Sequence, residues 1–157
     1  MKNYLKMEIA AMGENESFAR SAVAAFALFL NPSLSELSDI KTAVSEAVTN
    51  CVVHAYRESK EGDKILIECI AEKEEGQPSG VLHIKITDYG CGIENVEKAL
   101  SPFYTTLSEE ERSGMGFTIM QTFMNEFSVS SEKCKGTEVR MSKRIGLDVG
   151  NQKAISV

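Results

Sequence analysis

The chain has 157 residues, of which 43% are hydrophobic and 25% charged, and a formal net charge of −6. That length suits a single domain burying roughly 68–70% of its unfolded surface, and an acidic balance without a clustered cationic face argues against a nucleic-acid partner. The longest apolar run, AVAAFALFL, falls well short of the ~20 residues that span a bilayer, no N-terminal stretch reads as a secretion signal, and the scattered cysteines form no C-x-x-C pair; a cytoplasmic protein with reduced thiols and no membrane contact is expected.

YLKMEIAAM alternates imperfectly and reads as an opening strand. From Glu14 to Leu30 the spacing is helical, and Asn31-Pro32 ends it. Ser33 or Ser35 caps a second helix running to about Tyr56, with Leu37, Ile40, Val44, Val48, Cys51 and Ala55 on one apolar stripe. KILIECIA and VLHIKITD alternate as strands around the turn-rich EKEEGQPSG and form a hairpin. IENVEKAL reads as a short helix and SPFYTTLSEEERSG as a polar loop. GMGFTIMQTFMNEF opens a third long helix, and EFSVSSEK and TEVRMSK are strands around a turn at Gly136. Strands gathered after helices, joined by hairpins, predict an α+β two-layer sandwich with a mixed, mostly antiparallel sheet and helices on one face, rather than a doubly wound parallel sheet.

Three places concentrate chemistry. Glu46 and Asn50 are four residues apart and share a helix face well away from the apolar stripe, flanked by Ala43 and Ala47, which leave room for a ligand. Asp88 ends an apolar run and is followed by Gly90 and Gly92, a carboxylate that can accept from an amine. Gly114 and Gly116 stand at the mouth of a helix, where unpaired backbone N–H groups and the macrodipole favour an anion. His54 and His83 have no catalytic context and read as structural.

In chain order, Glu46/Asn50, Asp88/Gly90/Gly92 and Gly114/Gly116 resemble the N, G1 and G2 boxes of the GHKL ATPase superfamily, with Gly136-Thr137 where that superfamily has its final Gly-Thr element. SEAVTNCVVHAY, ITDYGCGIE and ERSGMGFTIMQTFM are similar to the anti-sigma factor serine-protein kinases, and most of all to those of sporulating bacteria. The resemblance implies one GHKL (Bergerat-type) domain over residues 1–145 and a flexible tail over 146–157. It implies ATP and ADP as ligands, with Mg²⁺ on Asn50 and the adenine amino group on Asp88. Gly90 and Gly92 would pass beneath the base, and Gly114, Met115, Gly116 and Phe117 would offer backbone N–H groups to the phosphates. Thr137 would reach the adenine edge, and Glu46 would orient or deprotonate the attacking hydroxyl.

Ser113 joins the phosphate-binding set, and Thr105 and Thr106 would contribute hydroxyls from the lid. The lid has no basic residue before Arg112, which makes Arg112 the candidate cation for the transferred phosphate, unless Mg²⁺ suffices. The family implies a sigma factor and a small anti-anti-sigma protein as partners, the second being the phosphorylation substrate. It also implies a homodimer, and Arg20 on the first helix is the candidate partner contact. A protein-serine/threonine kinase that sequesters a sporulation sigma factor is therefore expected. The alternative is a nucleotide-gated partner switch that transfers no phosphate.

Overall fold

Strand alternation sets the architecture. In a computed structural model, described for residues 1–57, 60–77, 79–102 and 115–146, every second residue of the central strands faces a layer of helices. The strands are β1 (Lys2–Ala10), β2 (Lys64–Lys73), β3 (Gly80–Asp88), β4 (Glu126–Glu132) and β5 (Gly136–Ile145), in the spatial order β1-β2-β3-β5-β4. All four pairings are antiparallel, so among the described residues the sheet has no parallel component. Ile65, Ile67, Cys69 and Ala71 of β2, Leu82, Ile84 and Ile86 of β3, and Val139, Met141 and Ile145 of β5 are buried. The other face carries charge, including Glu68 of β2 between Lys6 at 3.7 Å and Lys85 at 2.5 Å. This is the expected two-layer sandwich.

The helices are α1 (Asn15–Ala27), extended by a 3₁₀ turn over Leu28–Leu30, then α2 (Leu34–Asn50), α3 (Val96–Ala99) and α4 (Gly116–Phe123). The middle of the layer is α2, which touches both α1 and α4. Its apolar stripe drives it onto the sheet: Ile40, Val44, Val48 and Cys51 are all buried. A capping box starts it, with the Ser33 hydroxyl accepting from Glu36 N–H at 3.2 Å and the Glu36 carboxylate accepting from Ser33 N–H at 2.7 Å. The same Glu36 accepts from Gly146 N–H at 3.0 Å, tying the end of β5 to the start of α2.

The third long helix expected from GMGFTIMQTFMNEF is only eight residues long. Met124 is already extended (φ −103°, ψ 151°), because Asn125 N–H is taken by Ser142 O and Glu126 begins the β4–β5 ladder. Lys143 then caps the shortened helix, donating to Phe123 O at 2.6 Å while paired with Asp39 of α2 at 2.7 Å. Sheet pairing overrides the helical periodicity. Phe127 consequently meets Phe117 from a strand rather than from the same helix, with ring centroids 5.9 Å apart. The 146–157 tail lies outside the described residues beyond Gly146.

Burial raises the Glu36 carboxyl, but the backbone N–H groups of Ser33 and Gly146 outweigh it and hold the group below its ordinary 4.5. A lowered carboxyl contributes stability that is complete above 4.5 and lost as pH falls through the lower, folded-state value. Glu36→Gln should therefore be less stable than the wild type at neutral pH, and the gap should close on acidification. Denaturant unfolding across that range checks it; a gap that stays constant would remove Glu36 from the account.

Candidate nucleotide site

A cavity of about 960 Å³ opens between α2, α4 and the ends of β3 and β5. It brings together most of the residues singled out from the sequence: Glu46, Asn50, Asp88, Gly92, Met115, Gly116, Phe117 and Thr137 all line it. Of the two alanines expected to leave room for a ligand, Ala47 lines it, whereas Ala43 does not and is fully buried in the core. Thr105, Thr106, Arg112, Ser113 and Gly114 lie outside the described residues.

Asp88 occupies the next inward-facing position after Ile84 and Ile86, so the strand's own alternation turns a carboxylate toward the core. It is 4% exposed. Its Oδ1 accepts from Gly90 N–H at 3.0 Å and from Thr137 N–H at 3.2 Å, joining the ends of β3 and β5. Both bonds fall on one oxygen, and the Cys51 thiol also hydrogen-bonds the carboxyl. Burial pushes the carboxyl above its ordinary value, and those two N–H groups and the Cys51 thiol pull it part of the way back. Burial and the neighbouring Asp88 push the Cys51 thiol well up, so the thiol keeps its proton.

The glycines answer to packing as much as to a ligand. Gly90 does not line the cavity; its missing Cβ lies against the Ala55 backbone. Gly92 has φ +68°, and a Cβ there would run into the Glu132 carbonyl. Both are thus demanded by the way the loop after β3 is wedged between the chain just beyond α2 and the β4–β5 turn. Gly116 differs: a Cβ there would meet Glu46 Oε2 at 3.0 Å and the Asn50 side-chain amide at 3.2 and 3.3 Å. Its bare backbone lets the start of α4 sit directly on the carboxylate and carboxamide of α2. The first intrahelical bond of α4 runs from Ile119 N–H to Met115 O at 2.8 Å, so the N–H groups of Gly116, Phe117 and Thr118 precede it without helical partners.

Thr137 is held from behind by a residue the sequence did not single out. Ser131 accepts from Ile93 N–H at 2.8 Å, donates to Gly136 O at 2.9 Å and shares a 2.9 Å bond with the Thr137 hydroxyl. Because a serine has one hydroxyl hydrogen and Gly136 O takes it, Thr137 donates to Ser131 and turns a lone pair outward. Arg57, Lys98 and Lys133 also line the cavity, as do Cys91 and Asn95. The basic residues bring cationic side chains to the wall, although Lys133 is paired at 2.9 Å with Glu94, which lines the cavity as well. No periodicity marks them, because each comes from a different loop or short helix. His54, read as structural, lies on the cavity wall, whereas His83 stands exposed on the outer sheet face. Arg20 is remote from the cavity on α1, within 3.6 Å of Glu16 and 3.3 Å of Ser17.

Comparison with known proteins gives the family. Residues 9–143 match the histidine kinase-like ATPase domain. An anti-sigma F factor from Caldanaerobacter subterraneus subsp. tengcongensis is 51% identical over 144 residues, covering 92% of this chain and 95% of that protein. The chain belongs to the anti-sigma F factor family. A second relative, an anti-sigma F factor from Clostridium acetobutylicum, is 47% identical over 147 residues, covering 94% of this chain and 97% of its own. A solved structure of the RsbU and RsbW domains of a Mycobacterium tuberculosis protein shares the fold, with TM-score 0.60 at 17% identity over 91% of this chain and 32% of that one. The family's ATPase domain is a nucleotide-binding domain, and the cavity between α2 and α4 is the place in this chain where most of the residues singled out from the sequence converge. Among the described residues no helix is long and apolar enough to cross a membrane.

The Gly116 contact gives a sharp test. A methyl group there displaces the flexible ends of Glu46 and Asn50 rather than backbone. Gly116→Ala should therefore keep its unfolding midpoint while losing about tenfold or more in Mg·ATP affinity by calorimetric titration, equivalent to ~1.4 kcal/mol. Unchanged affinity would mean that the junction of α2 and α4 is not where the phosphates sit.

Proposed function

We propose that this chain is a protein-serine/threonine kinase of the partner-switching type, which sequesters a sporulation sigma factor and phosphorylates an anti-anti-sigma protein at the expense of ATP. The observation that carries this reading is the approach of Glu46 and Asn50 to Gly116, a base and a metal-binding amide at the open end of a helix. Phosphoryl transfer asks the protein mainly to position reactants and to stabilise charge. Glu46 on this reading accepts the proton of the incoming hydroxyl. Backbone N–H groups at the start of α4 receive the phosphate oxygens.

Mg²⁺ fits the donor set. Among the described residues no cluster of His, Cys, Asp or Glu is arranged to hold a metal ion. Mg²⁺ needs only one or two protein oxygens beside the substrate phosphates, and Asn50 offers one. The ion when bound supplies charge neutralisation across the phosphates. Arg57 on the wall and Arg112 of the lid are the candidate cations to add to it.

At the other end of the cavity, Asp88 accepts the exocyclic amine of adenine, and Thr137 presents a lone pair beside it. ADP would keep this base contact and lose the γ-phosphate, which is how the nucleotide state would select the partner. Arg20, half exposed on α1, is the candidate contact to an acidic surface of a partner. β1 is one of the two edge strands and carries exposed side chains such as Tyr4, which suits pairing with a second copy in a homodimer. A cytoplasmic location follows from the partners proposed.

Glu46→Gln keeps size and hydrogen-bonding capacity while removing basicity. Its Mg·ATP affinity should be nearly unchanged, and single-turnover phosphorylation of the anti-anti-sigma partner should fall by roughly 10²–10⁴-fold. Full transfer by the variant would exclude Glu46 as the base. No transfer by the wild type would leave the nucleotide-gated switch as the function. Arg20→Glu should weaken capture of a partner in pull-down while leaving nucleotide titration intact; loss of both together would contradict a role confined to α1.

A further inference from the structure

Beyond Asn50 the helix does not simply continue. The chain widens into a π-helical turn over Cys51–Ala55, ended by Tyr56, a feature often found beside functional sites. This turn meets the segment after β3 at successive points. The Cys51 thiol lies beside the Asp88 carboxyl. The Ala55 carbonyl accepts from Cys91 N–H at 3.1 Å, and Gly90 is pressed against the same residue. The Tyr56 hydroxyl lies 2.7 Å from Tyr89 N and 2.7 Å from Lys64 O.

Only one proton arrangement satisfies the last pair. A peptide N–H only donates and a carbonyl only accepts, so the phenol accepts from Tyr89 and donates to Lys64. Tyr56 is 8% exposed, whereas the ring of Tyr89 is 52% exposed. The bond therefore holds the Tyr89 peptide, the one that leaves Asp88, and not the Tyr89 side chain. It fixes that peptide to the start of β2 through Lys64, an anchor outside the cavity. Tyr56 itself does not line the cavity.

We propose that Tyr56 is a positioning residue for base selection: its hydroxyl anchors the peptide following Asp88 and so sets the direction of the carboxylate that distinguishes adenine from guanine. The inference rests on the nucleotide reading given above. Recognition of one exocyclic group needs the acceptor held within about 0.5 Å and 10–20°. Release of the Tyr89 N–H frees the backbone rotation that carries the carboxylate. The phosphate end, built on α2 and the start of α4, is not touched by this change.

The test uses Tyr56→Phe, which keeps the ring and removes only the hydroxyl. Calorimetric titrations with Mg·ATP, Mg·GTP and magnesium tripolyphosphate are compared with the wild type. The wild type should favour ATP by about tenfold or more. In the variant that ratio should fall to about threefold or less, with tripolyphosphate affinity unchanged. An unchanged ratio overturns the proposal, and so does equal weakening toward all three ligands, the signature of a merely structural role. A wild type without preference for ATP overturns the assignment of Asp88 itself, which separates failure of the site reading from failure of the role of Tyr56. Amide hydrogen exchange of the wild type provides a check that does not need the variant to fold. The Tyr89 amide should be protected as well as the β3 ladder, and exchange at the rate of an open loop overturns the proposal.

Discussion

Burying a carboxylate is costly unless its charge is met by donors, and the buried Asp88 is the point on which the rest of the site depends. The donors are backbone N–H groups from two directions, Gly90 just beyond it and Thr137 on β5. Meeting them requires β3 and β5 to pair in the register that sets Asp88 opposite Thr137. It also requires the loop after β3 to fold back through glycines. The sheet register, the loop glycines and the acidic residue are therefore a single constraint, not three separate motifs. The polar end of the cavity is formed as a consequence of satisfying it.

The opposite end obeys a different rule. There the groups that meet, Glu46, Asn50 and Gly116, come from two helices, and what matters is how closely the helices approach. The sheet holds α2 through its apolar stripe, and Lys143 draws the end of α4 to Asp39 of the same helix. The two ends are then joined through α2, whose last turn runs from Asn50 directly into the π-helical segment facing Asp88 and Gly90. A nucleotide spanning the cavity would be read at both ends by one continuous stretch of chain, residues 46–56.

Much of this was legible in the sequence because the chemistry is local. A carboxylate closing an apolar alternation, glycines at fixed offsets and a Glu/Asn pair at helical spacing are visible without knowing what they face. The strand pairs and the apolar stripe of α2 were legible for the same reason. The length of α4 was not, since Met124 leaves the helix only because β5 is there to pair with the next residues. Ser131, Tyr56 and the cations at 57, 98 and 133 were invisible for a related reason. Ser131 and Tyr56 each take a partner more than thirty residues away, Ile93 and Tyr89, and a serine in a strand or a lysine in a turn carries no pattern until the fold brings it there. Even the glycines were only half understood: Gly90 and Gly92 are required by neighbouring backbone as well as by any base above them.

We propose that one cavity holds a nucleotide with its base at Asp88 and its phosphates at the junction of α2 and α4. A crystal structure with Mg²⁺ and a non-hydrolysable ATP analogue tests it most directly. The expected result is the exocyclic amine on the Asp88 carboxylate, the metal on the Asn50 side-chain oxygen, and the phosphates facing the N–H groups that open α4. A base bound elsewhere, with Asp88 left to its backbone partners alone, would contradict it.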